Sequence, residues 1–540
     1  MLRRFVFNRR NTPAWIFLVI LSWVSSIVAV LIPYMHQLMI DQLSGKNSED
    51  FYVLLAVLLA LYVFEIIEGY FYEYRKCCFQ EKVKKDLRLK INDHILHLKH
   101  SFFVDNGTEK IISRYSKDSI TVSSFYGEML IELLGNIVML ASVVFVITKV
   151  DYRILLLSLA VIILYAFMTI YLGKKIKKEV KNFLKADEEA MGVLNENCSK
   201  EILIKTYGLY EKCKKKYAEK YEKAFLGRKR AALLSAANTS GARLILYILQ
   251  GVVFIVAGIG VLNGRTTVGA LISMIECQSF LLLPFFFFGQ FNARYQEYVT
   301  SKERVEELLK EEPEIIGNEG QVPCISKIDI KDLNFSYQTG KDVLKNVNLS
   351  LEKGSITGIV GRSGIGKSTL INLLLGIYMP PEGSIYVDEN DICGLPLTDL
   401  RKHIGYVPQE SMFFNESLKE NLFCDDTDTT KIERISKDID IYDEIEEMEN
   451  GPDTIVGVDG NTLSGGQKKR LDFLRVFCND KDVLIFDEPT AMLDQKRREL
   501  FYRYLMKIKE QKIIIVISHN DNEMTYFDHI HKMREDVAHE

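Results

Sequence analysis

The sequence has no marked excess of charge and no sign of a disulfide framework. Its 68 lysines and arginines against 72 aspartates and glutamates leave a formal net charge of −4. This balance gives no reason to expect a nucleic acid partner. The nine cysteines fall in an apolar window or in segments that we place in the cytoplasm, so we expect them to remain unpaired.

Long apolar runs are confined to the first 291 residues. The run that begins at Ala14 and Trp15 is too long for a cleavable signal peptide, so we interpret it as a membrane span. In all, six windows have the length of about 20 residues that a bilayer requires, and they lie at residues 13–35, 51–72, 125–148, 153–173, 242–263 and 268–291.

Lysine and arginine are distributed unevenly between these windows. They number 4 in residues 1–12, 9 in 77–121 and 17 in 174–241, whereas each of the other connections holds one or two. By the positive-inside rule, both termini are expected in the cytoplasm. The two basic connections contain little glycine or proline, so spans two to five are predicted to continue as long helices.

The remainder of the chain has the composition of a soluble protein. Ser301–Pro313 has the pattern of an amphipathic helix, and strand and helix signals alternate from Ile325 onward. We therefore predict a transmembrane domain over residues 1–300, a linker over 301–324 and an α/β domain over 325–540.

A glycine-rich loop follows the apolar run at 355–360. A loop that joins a strand to a helix in this way directs backbone N–H groups at phosphates, while Lys367 adds a charge and the Ser368 hydroxyl can hold Mg²⁺. The candidate nucleotide-binding residues are Gly361, Arg362, Ser363, Gly364, Ile365, Gly366, Lys367, Ser368 and Thr369.

A second glycine motif narrows the choice among nucleotide-binding proteins. Leu463–Gln467 reads Leu-Ser-Gly-Gly-Gln and precedes the apolar run 482–486, which ends in Asp487 and Glu488. With six spans ahead of it, this arrangement resembles the ABC transporter family, and specifically an exporter-type half-transporter. The resemblance implies an α-helical membrane domain of six transmembrane helices joined to an α/β P-loop ATPase domain.

The resemblance also implies roles for matching residues around ATP and Mg²⁺. Tyr337 would stack on adenine, and Gln409 would contact Mg²⁺ and sense the membrane domain. Asp487 would hold Mg²⁺ together with Ser368. Glu488 would polarise the attacking water, and His519 would contact the γ-phosphate.

A second group of residues would act across a dimer interface. In the family, the serine-glycine-glycine turn approaches the γ-phosphate that another copy binds, so ATP would join two nucleotide domains. The residues implied are Ser464, Gly465, Gly466 and Gln467, with Asp494 organising the interface. The partner would be a second copy of this chain or a related half-transporter, alongside membrane lipid and the transported substrate.

Two basic connections resemble the coupling regions of exporters. The first comprises residues 101–103 and 107–118, and the second comprises residues 196–211. The alternative is that both are simply charged cytoplasmic helices. We call Leu463–Gln467 the signature motif. Val458 stands where the family commonly has a glutamate, which weakens the expectation of contact between a coupling helix and this motif.

Ionisable residues inside the windows are further candidates. The acids are Glu65, Glu68, Glu128, Glu132 and Glu276. Glu276 and Glu65 lie deepest, and for Glu276 both a substrate or proton contact and a structural hydrogen bond remain open. His94, His97 and His100 recur every third residue, which favours a solvated helix face over a metal site because the outer pair would diverge by about 120°.

Three functions fit these observations. The first is ATP-driven export across the cytoplasmic membrane by alternating access, which Glu488 favours, with a peptide among the candidate substrates. The others are a lipid flippase and an ATP-gated channel or sensor. We expect no leader-cleaving peptide exporter, because no peptidase-like extension precedes the first window, and the abundance of lysine and isoleucine favours a bacterial source.

Overall fold

The computed structural model describes residues 9–45, 48–314, 322–337, 342–424 and 429–533. Contacts divide the chain into two compact units. The first extends to Leu96 and resumes over Gly107–Glu311. The second combines His97–Asn106 with the chain from Glu312 onward. The division is therefore discontinuous, and each unit is described separately.

The regular structure of the first unit, as far as its residues are described, is helical. Apolar stretches of this length favour helices because a helix satisfies its backbone hydrogen bonds within one segment. Two π-helical turns, Arg114–Asp118 and Phe125–Met129, interrupt the α-helices. The α-helices are α1 (Thr12–Gly45) and α2 (Ser48–Leu96), and then α4 (Thr108–Ser113), α5 (Ser119–Ser124), α6 (Leu130–Ser199), α7 (Glu201–Tyr207), α8 (Tyr210–Leu262) and α9 (Val268–Leu308), while α3 (His100–Asn106) belongs to the second unit.

The apolar windows correspond to helices, although their number differs from the prediction. Among the described residues, five helical stretches are long and apolar enough to cross a membrane. The sixth window lies in α9, whose described apolar part, Val268–Leu281, is shorter; several side chains between 282 and 291 lie outside the described set. The five stretches are Thr12–Ser44, Asp50–Leu96, Ile111–Lys149, Tyr152–Ser199 and Tyr210–Leu262.

The helices extend well beyond the length of a span, as predicted. The helices α2 and α8 contain 49 and 53 residues, and α6, which holds most of the third window and all of the fourth, contains 70. Two details differ from the sequence analysis. The third and fourth windows, 125–148 and 153–173, predict a turn between them at Lys149–Arg153, but these residues are helical and lie inside α6. Ser301 begins no separate helix, because α9 continues to Leu308.

Apolar side chains from several of these helices form the core of the first unit. The buried cluster comprises Val30, Val143, Ile147, Ile154, Ile162, Val253, Ala257, Met274, Cys277 and Leu281. Near the end of α9, the second π-helical turn brings Phe125 onto Tyr298, with stacked rings 3.6 Å apart. Ser301 donates to the buried Asp118 at 2.8 Å, so this part of the first predicted coupling region is fixed to α9.

The second unit contains two β-sheets and confirms the α/β prediction. The strands are β1 (Lys327–Ser336), β2 (Asp342–Glu352), β3 (Ile356–Val360), β4 (Ile385–Val387), β5 (Asn390–Asp391), β6 (Ile404–Val407), β7 (Val483–Asp487), β8 (Ile513–Ser518) and β9 (His529–Lys532). One sheet is parallel in the order β6-β7-β8-β3-β9, and the other is antiparallel in the order β2-β1-β4-β5.

The α-helices of the second unit connect and cover these strands. Every residue of β3, β7 and β8 is buried, as expected for parallel strands covered on both faces. Besides α3, the helices are α10 (Lys367–Leu374), α11 (Leu397–Leu400), α12 (Leu418–Asn421), α13 (Thr429–Asp438), α14 (Tyr442–Glu446), α15 (Gly465–Cys478) and α16 (Gln495–Ile508).

The segment containing α3 is fixed to the start of the C-terminal part. Leu98 and Pro313 form an antiparallel bridge, and the Glu314 amide donates to the His97 carbonyl at 2.6 Å. The ring of His100 meets that of Tyr378 edge-on, with centroids 5.7 Å apart. The three histidines considered above therefore do not share a helix face, because α2 ends at Leu96.

Candidate functional site

The parallel sheet brings the predicted site residues to one edge. Strand β3 ends at Val360, β8 at Ser518 and β7 at Asp487, and the register pairs Val360 with Ser518 and Asp487 with Ile517. The residues that follow, including Gly361, Glu488 and His519, therefore emerge at the carboxyl ends of adjacent strands. This is where open α/β sheets bind ligands.

The glycine-rich loop has a backbone that requires glycine. Gly364 and Gly366 have φ values of 83° and 107°. A Cβ atom on Gly366 would lie 2.6 Å from the Leu344 side chain and 3.0 Å from the Val343 carbonyl. The loop then leads directly into α10, whose first residue is Lys367, so its amides lie at the positive end of a helix.

Lys367 is buried beneath this loop. Its Nζ donates to the carbonyl oxygens of Gly361 at 2.7 Å and Arg362 at 3.0 Å, and it lies 3.2 Å from His519 Nε2. Burial lowers the pKa of Lys367, although the charges of Glu488 and Asp487 oppose the shift. The ammonium is held at the point where the loop, β7 and β8 meet.

Glu488 is held by two other candidate residues. Its Oε1 lies 2.6 Å from His519 Nε2, and its Oε2 accepts a hydrogen bond from Gln409 Nε2 at 3.1 Å. The backbone φ of Glu488 is 46°, in the left-handed region that non-glycine residues rarely adopt and that is often retained at functional sites. Its amide donates to the Ile517 carbonyl at 3.1 Å, which anchors this conformation to β8.

Asp487 provides a buried carboxylate beside Glu488. Burial raises the pKa of Asp487, and the charge of Glu488 raises it further. Ser368, Gln409 and Asp487 together offer hydroxyl, amide and carboxylate oxygens, the donors that Mg²⁺ prefers. The chemistry of these side chains therefore fits a magnesium ion held beside the glycine-rich loop at residues 361–369, which we call the phosphate loop.

Tyr337 lies close to the end of the phosphate loop. Its hydroxyl is 3.1 Å from the Thr369 hydroxyl. Its ring contacts Tyr378 at a centroid distance of 5.0 Å and an angle of 82°. Tyr378, which also contacts His100, thus supports the Tyr337 ring on one side. A cavity of about 420 Å³ lies next to the loop and is lined by Arg362, His519 and Lys532 among others.

The signature motif forms the capped N-terminus of α15. Ser464 Oγ accepts a hydrogen bond from the Gln467 amide, and the Gln467 side chain accepts one from the Ser464 amide at 2.8 Å. Asp494 caps α16 in the same way by accepting from the Arg497 amide at 2.8 Å. Among the described contacts, these residues interact with their own helices rather than with the phosphate loop.

Two buried charged residues near the site were not found by sequence reasoning. Lys469, which is 2% exposed, donates to the carbonyl oxygens of Pro408 at 2.5 Å and Gln409 at 2.9 Å. It therefore fixes the backbone that presents Gln409. The position follows the signature motif by two residues, but its contact partner, about 60 residues away, is not evident from the local pattern.

Glu523 is the second such residue and is 1% exposed. Its carboxylate accepts hydrogen bonds from the hydroxyls of Ser518 at 2.6 Å, Tyr502 at 2.9 Å and Thr490. Ser518 immediately precedes His519, and Thr490 follows Glu488 by two residues. Glu523 thus connects the segments that carry the two catalytic candidates.

The remaining candidates lie in less confined positions. The second predicted coupling region spans the end of α6, the short α7 and the start of α8, where Glu196 pairs with Lys200 at 3.0 Å and Lys216 at 2.8 Å. Val458 is exposed and lies in a short 3₁₀ turn.

Of the acids in the apolar windows, Glu68 is buried and Glu65 is exposed, while Glu276 contacts His36.

Comparison with known protein families decides between the nucleotide-binding families. Residues 344–491 match the model of the ABC transporter family, and residues 15–285, more than half of the chain, match the ABC transporter transmembrane region. The chain belongs to the ABC transporter family. It carries both parts in one polypeptide, so it is an exporter-type half-transporter with ATPase-coupled transport activity.

Relatives and a solved structure agree with this assignment. ABC transporter B family member 1 of Dictyostelium discoideum is 30% identical over 525 residues, which cover 92% of this chain and 55% of that protein. This chain thus spans about half the length of that relative. A Staphylococcus aureus protein named "Putative multidrug export ATP-binding/permease protein" is 27% identical over 93% of this chain and 89% of its own length.

The architecture is that of a solved exporter. The structure of a bacterial Atm1-family ABC exporter with ATP bound matches with a TM-score of 0.77 and 21% sequence identity, covering 98% of this chain and 94% of the other. This likeness establishes the fold. The two family-model matches identify an ATP-binding, multi-pass membrane protein of a family whose half-transporters generally work as dimers.

Proposed function

We propose that two copies of this chain export a substrate across a bacterial cytoplasmic membrane by alternating access, with both termini in the cytoplasm. The observation that carries the proposal is the position of Glu488, held between His519 and Gln409 next to the phosphate loop. A carboxylate in this place can orient and polarise a water molecule for attack on a γ-phosphate. ATP binding would then close the two nucleotide domains, and hydrolysis would release them.

Each residue of the site has a distinct part in this proposal. The loop amides and Lys367 bind the phosphates, and Lys367 exchanges its carbonyl partners for phosphate oxygens. His519 contacts the γ-phosphate, and Tyr337 supports adenine. Mg²⁺, held by Ser368, Gln409 and Asp487, would neutralise phosphate charge.

The dimer is supported by the number of ATP-binding motifs in one chain. A single nucleotide domain has one phosphate loop and one signature motif, and the latter lies at the N-terminus of α15 with its cap formed within the motif. Residues 464–467 of one copy would complete the site on the other, with Asp494 at the interface. The coupling regions would transmit the motion to the transmembrane domain, which we place at residues 1–300. The first comprises residues 101–103 and 107–118, and the second comprises residues 196–211.

The proposal is tested by ATP hydrolysis in lipid nanodiscs. Glu488→Gln is expected to lower the turnover number by at least about 100-fold, because general base assistance contributes about 10²–10⁴-fold. Glu449→Gln, which changes an exposed carboxylate, serves as the matched control. Unchanged hydrolysis in Glu488→Gln, or ATP-dependent ion conductance without hydrolysis by the unaltered chain, would contradict an export pump.

A mixing experiment tests the shared site. Lys367→Ala and Ser464→Arg should each abolish hydrolysis when purified alone, because both sites of each homodimer are damaged. Co-expression would restore activity, because a mixed dimer has one site with an intact loop and an intact signature motif. Full activity of either variant alone would show that the two motifs do not act together.

A further inference from the structure

Glu276 in α9 lies at the centre of a polar contact inside the first unit. His36 Nδ1, from α1, is 2.8 Å from Glu276 Oε2, and His36 Nε2 is 2.7 Å from the hydroxyl of Tyr62 in α2. The rings of His36 and Tyr62 meet edge-on at 6.2 Å. We call these three residues the Glu276 triad. Three helices contribute one residue each.

The hydrogen bonds within the triad leave one oxygen of the Glu276 carboxylate without a donor. With Glu276 ionised and the His36 ring neutral, His36 Nδ1 would donate to the carboxylate and His36 Nε2 would accept the Tyr62 proton. In that arrangement the triad carries one negative charge. The Glu276 side chain is 36% exposed, and among the described contacts its second oxygen, Oε1, has no donor.

Close helix packing holds the triad in place. Gly269 lies two helical turns before Glu276, and a Cβ atom there would be 2.3 Å from the Gln37 carbonyl of α1. On the same face, Asp41 accepts hydrogen bonds from the Thr267 hydroxyl at 2.9 Å and the Gly269 amide at 3.2 Å. The relative position of α1 and α9 is thus fixed next to the triad.

The residues of the triad lie in apolar segments of their helices. His36 and Tyr62 lie in helices long and apolar enough to cross a membrane, and Glu276 lies in the apolar stretch Val268–Leu281, about 12 Å along α9 from its start. Ionisable side chains at such positions are costly, and they are retained mostly where they face a partner or a ligand pathway. His36 partners one carboxylate oxygen, which leaves the other for a ligand.

We propose that the Glu276 triad is a binding site for an amphipathic organic cation, which, given the proposed export function, is the class of substrate carried. The cation places its charge against Glu276 Oε1 and the face of Tyr62, since aromatic rings attract cations. Its apolar groups contact side chains of the core formed by α1, α6, α8 and α9.

The test compares two ions of the same size and opposite charge. Binding of tetraphenylphosphonium to the full chain in nanodiscs without nucleotide is measured by equilibrium dialysis, with empty nanodiscs subtracted, and tetraphenylborate is the comparison. Glu276→Gln should weaken binding of the cation at least tenfold and should not weaken binding of the anion. Glu65→Gln, which removes an exposed carboxylate of α2, should leave cation binding unchanged.

A charge-retaining variant separates lost charge from lost structure. Glu276→Asp should bind the cation within about threefold of the unaltered chain. No cation binding by the unaltered chain, an equal loss in Glu65→Gln, or an equal loss in Glu276→Asp would overturn the proposal. Because the assay contains no ATP, its outcome is independent of whether Glu488 supports hydrolysis.

Discussion

Glu488 Oε1 lies 2.6 Å from His519 Nε2, at the edge where β7 and β8 end side by side. The same imidazole lies 3.2 Å from Lys367 Nζ. His519 thus contacts both Glu488, which would orient water, and Lys367, which would bind phosphate. His519 is therefore placed to make the reactivity of Glu488 depend on what occupies the phosphate loop.

His519→Ala should lower the turnover number for ATP by about 100-fold, because the γ-phosphate and Glu488 lose a shared partner. The measurement is steady-state ATP hydrolysis in nanodiscs. His529→Ala is the matched control, since His529 is exposed on β9. Hydrolysis by His519→Ala within threefold of the control would remove His519 from the catalytic residues.

Glu523→Gln should reduce both stability and catalysis. The substitution keeps the shape but removes the charge that three hydroxyl groups face, and hydrogen bonds to a buried charge contribute about 1.5–3 kcal/mol each. We expect a lower unfolding temperature and a reduced turnover number with little change in the Michaelis constant for ATP, because Ser518 positions His519. Glu510→Gln is the exposed control, and equal behaviour of the two variants would contradict the positioning role.

Tyr378→Ala should weaken ATP binding without affecting the phosphate loop. The ring of Tyr378 supports Tyr337, and aromatic pairs contribute about 0.5–1.5 kcal/mol, which corresponds to a rise of about 2- to 12-fold in the dissociation constant. Titration with a non-hydrolysable ATP analogue measures this. Tyr378→Phe retains the ring and should bind like the unaltered chain, so a loss in Tyr378→Phe would assign the effect to the hydroxyl instead.

Asp482 should make the stability of the second unit, which carries the nucleotide site, sensitive to acid. Burial would raise the pKa of Asp482, but hydrogen bonds from Cys324 and His403 and from the Ile325 amide outweigh it and lower the pKa from 3.8 to about 2. Because the folded value lies below the unfolded one, the stabilisation is complete above about pH 4 and is lost as the pH falls toward 2.

Calorimetry of the full chain between pH 5 and pH 3 measures this effect. The unaltered protein should lose about 1–2 kcal/mol of unfolding free energy over the acidic part of the range. Asp482→Asn removes the titrating group and should flatten this dependence. An unchanged slope in Asp482→Asn would show that other carboxylates account for the acid sensitivity.

The sequence was most informative where function depends on local order along the chain. The phosphate loop, Asp487, Glu488 and His519 could be predicted because each stands at the end of a strand or directly after it, and parallel strands end at one edge. Glu523 and Lys469 could not, because their importance arises from burial and from partners on other elements. Their sequence neighbourhoods contain no distinguishing pattern.

The membrane half shows the same contrast. Apolar windows predicted the helices, but composition could not reveal that α6 continues through the turn expected at Lys149–Arg153, because the length of a helix depends on its contacts. Nor could it identify His36 as the partner of Glu276, which is 240 residues away. Such pairings depend on which helices pack together.

The bridge between Leu98 and Pro313 has a consequence for protein engineering. Lys99 and Glu312 are 213 residues apart in sequence and only 3.0 Å apart in space, so the catalytic half includes a piece of chain encoded far upstream. A chimaera that grafts the chain from Glu312 onward onto a foreign permease would leave Tyr378 and Pro313 without their native neighbours. Transplanting residues 97–106 together with that half would keep all parts of the second compact unit together.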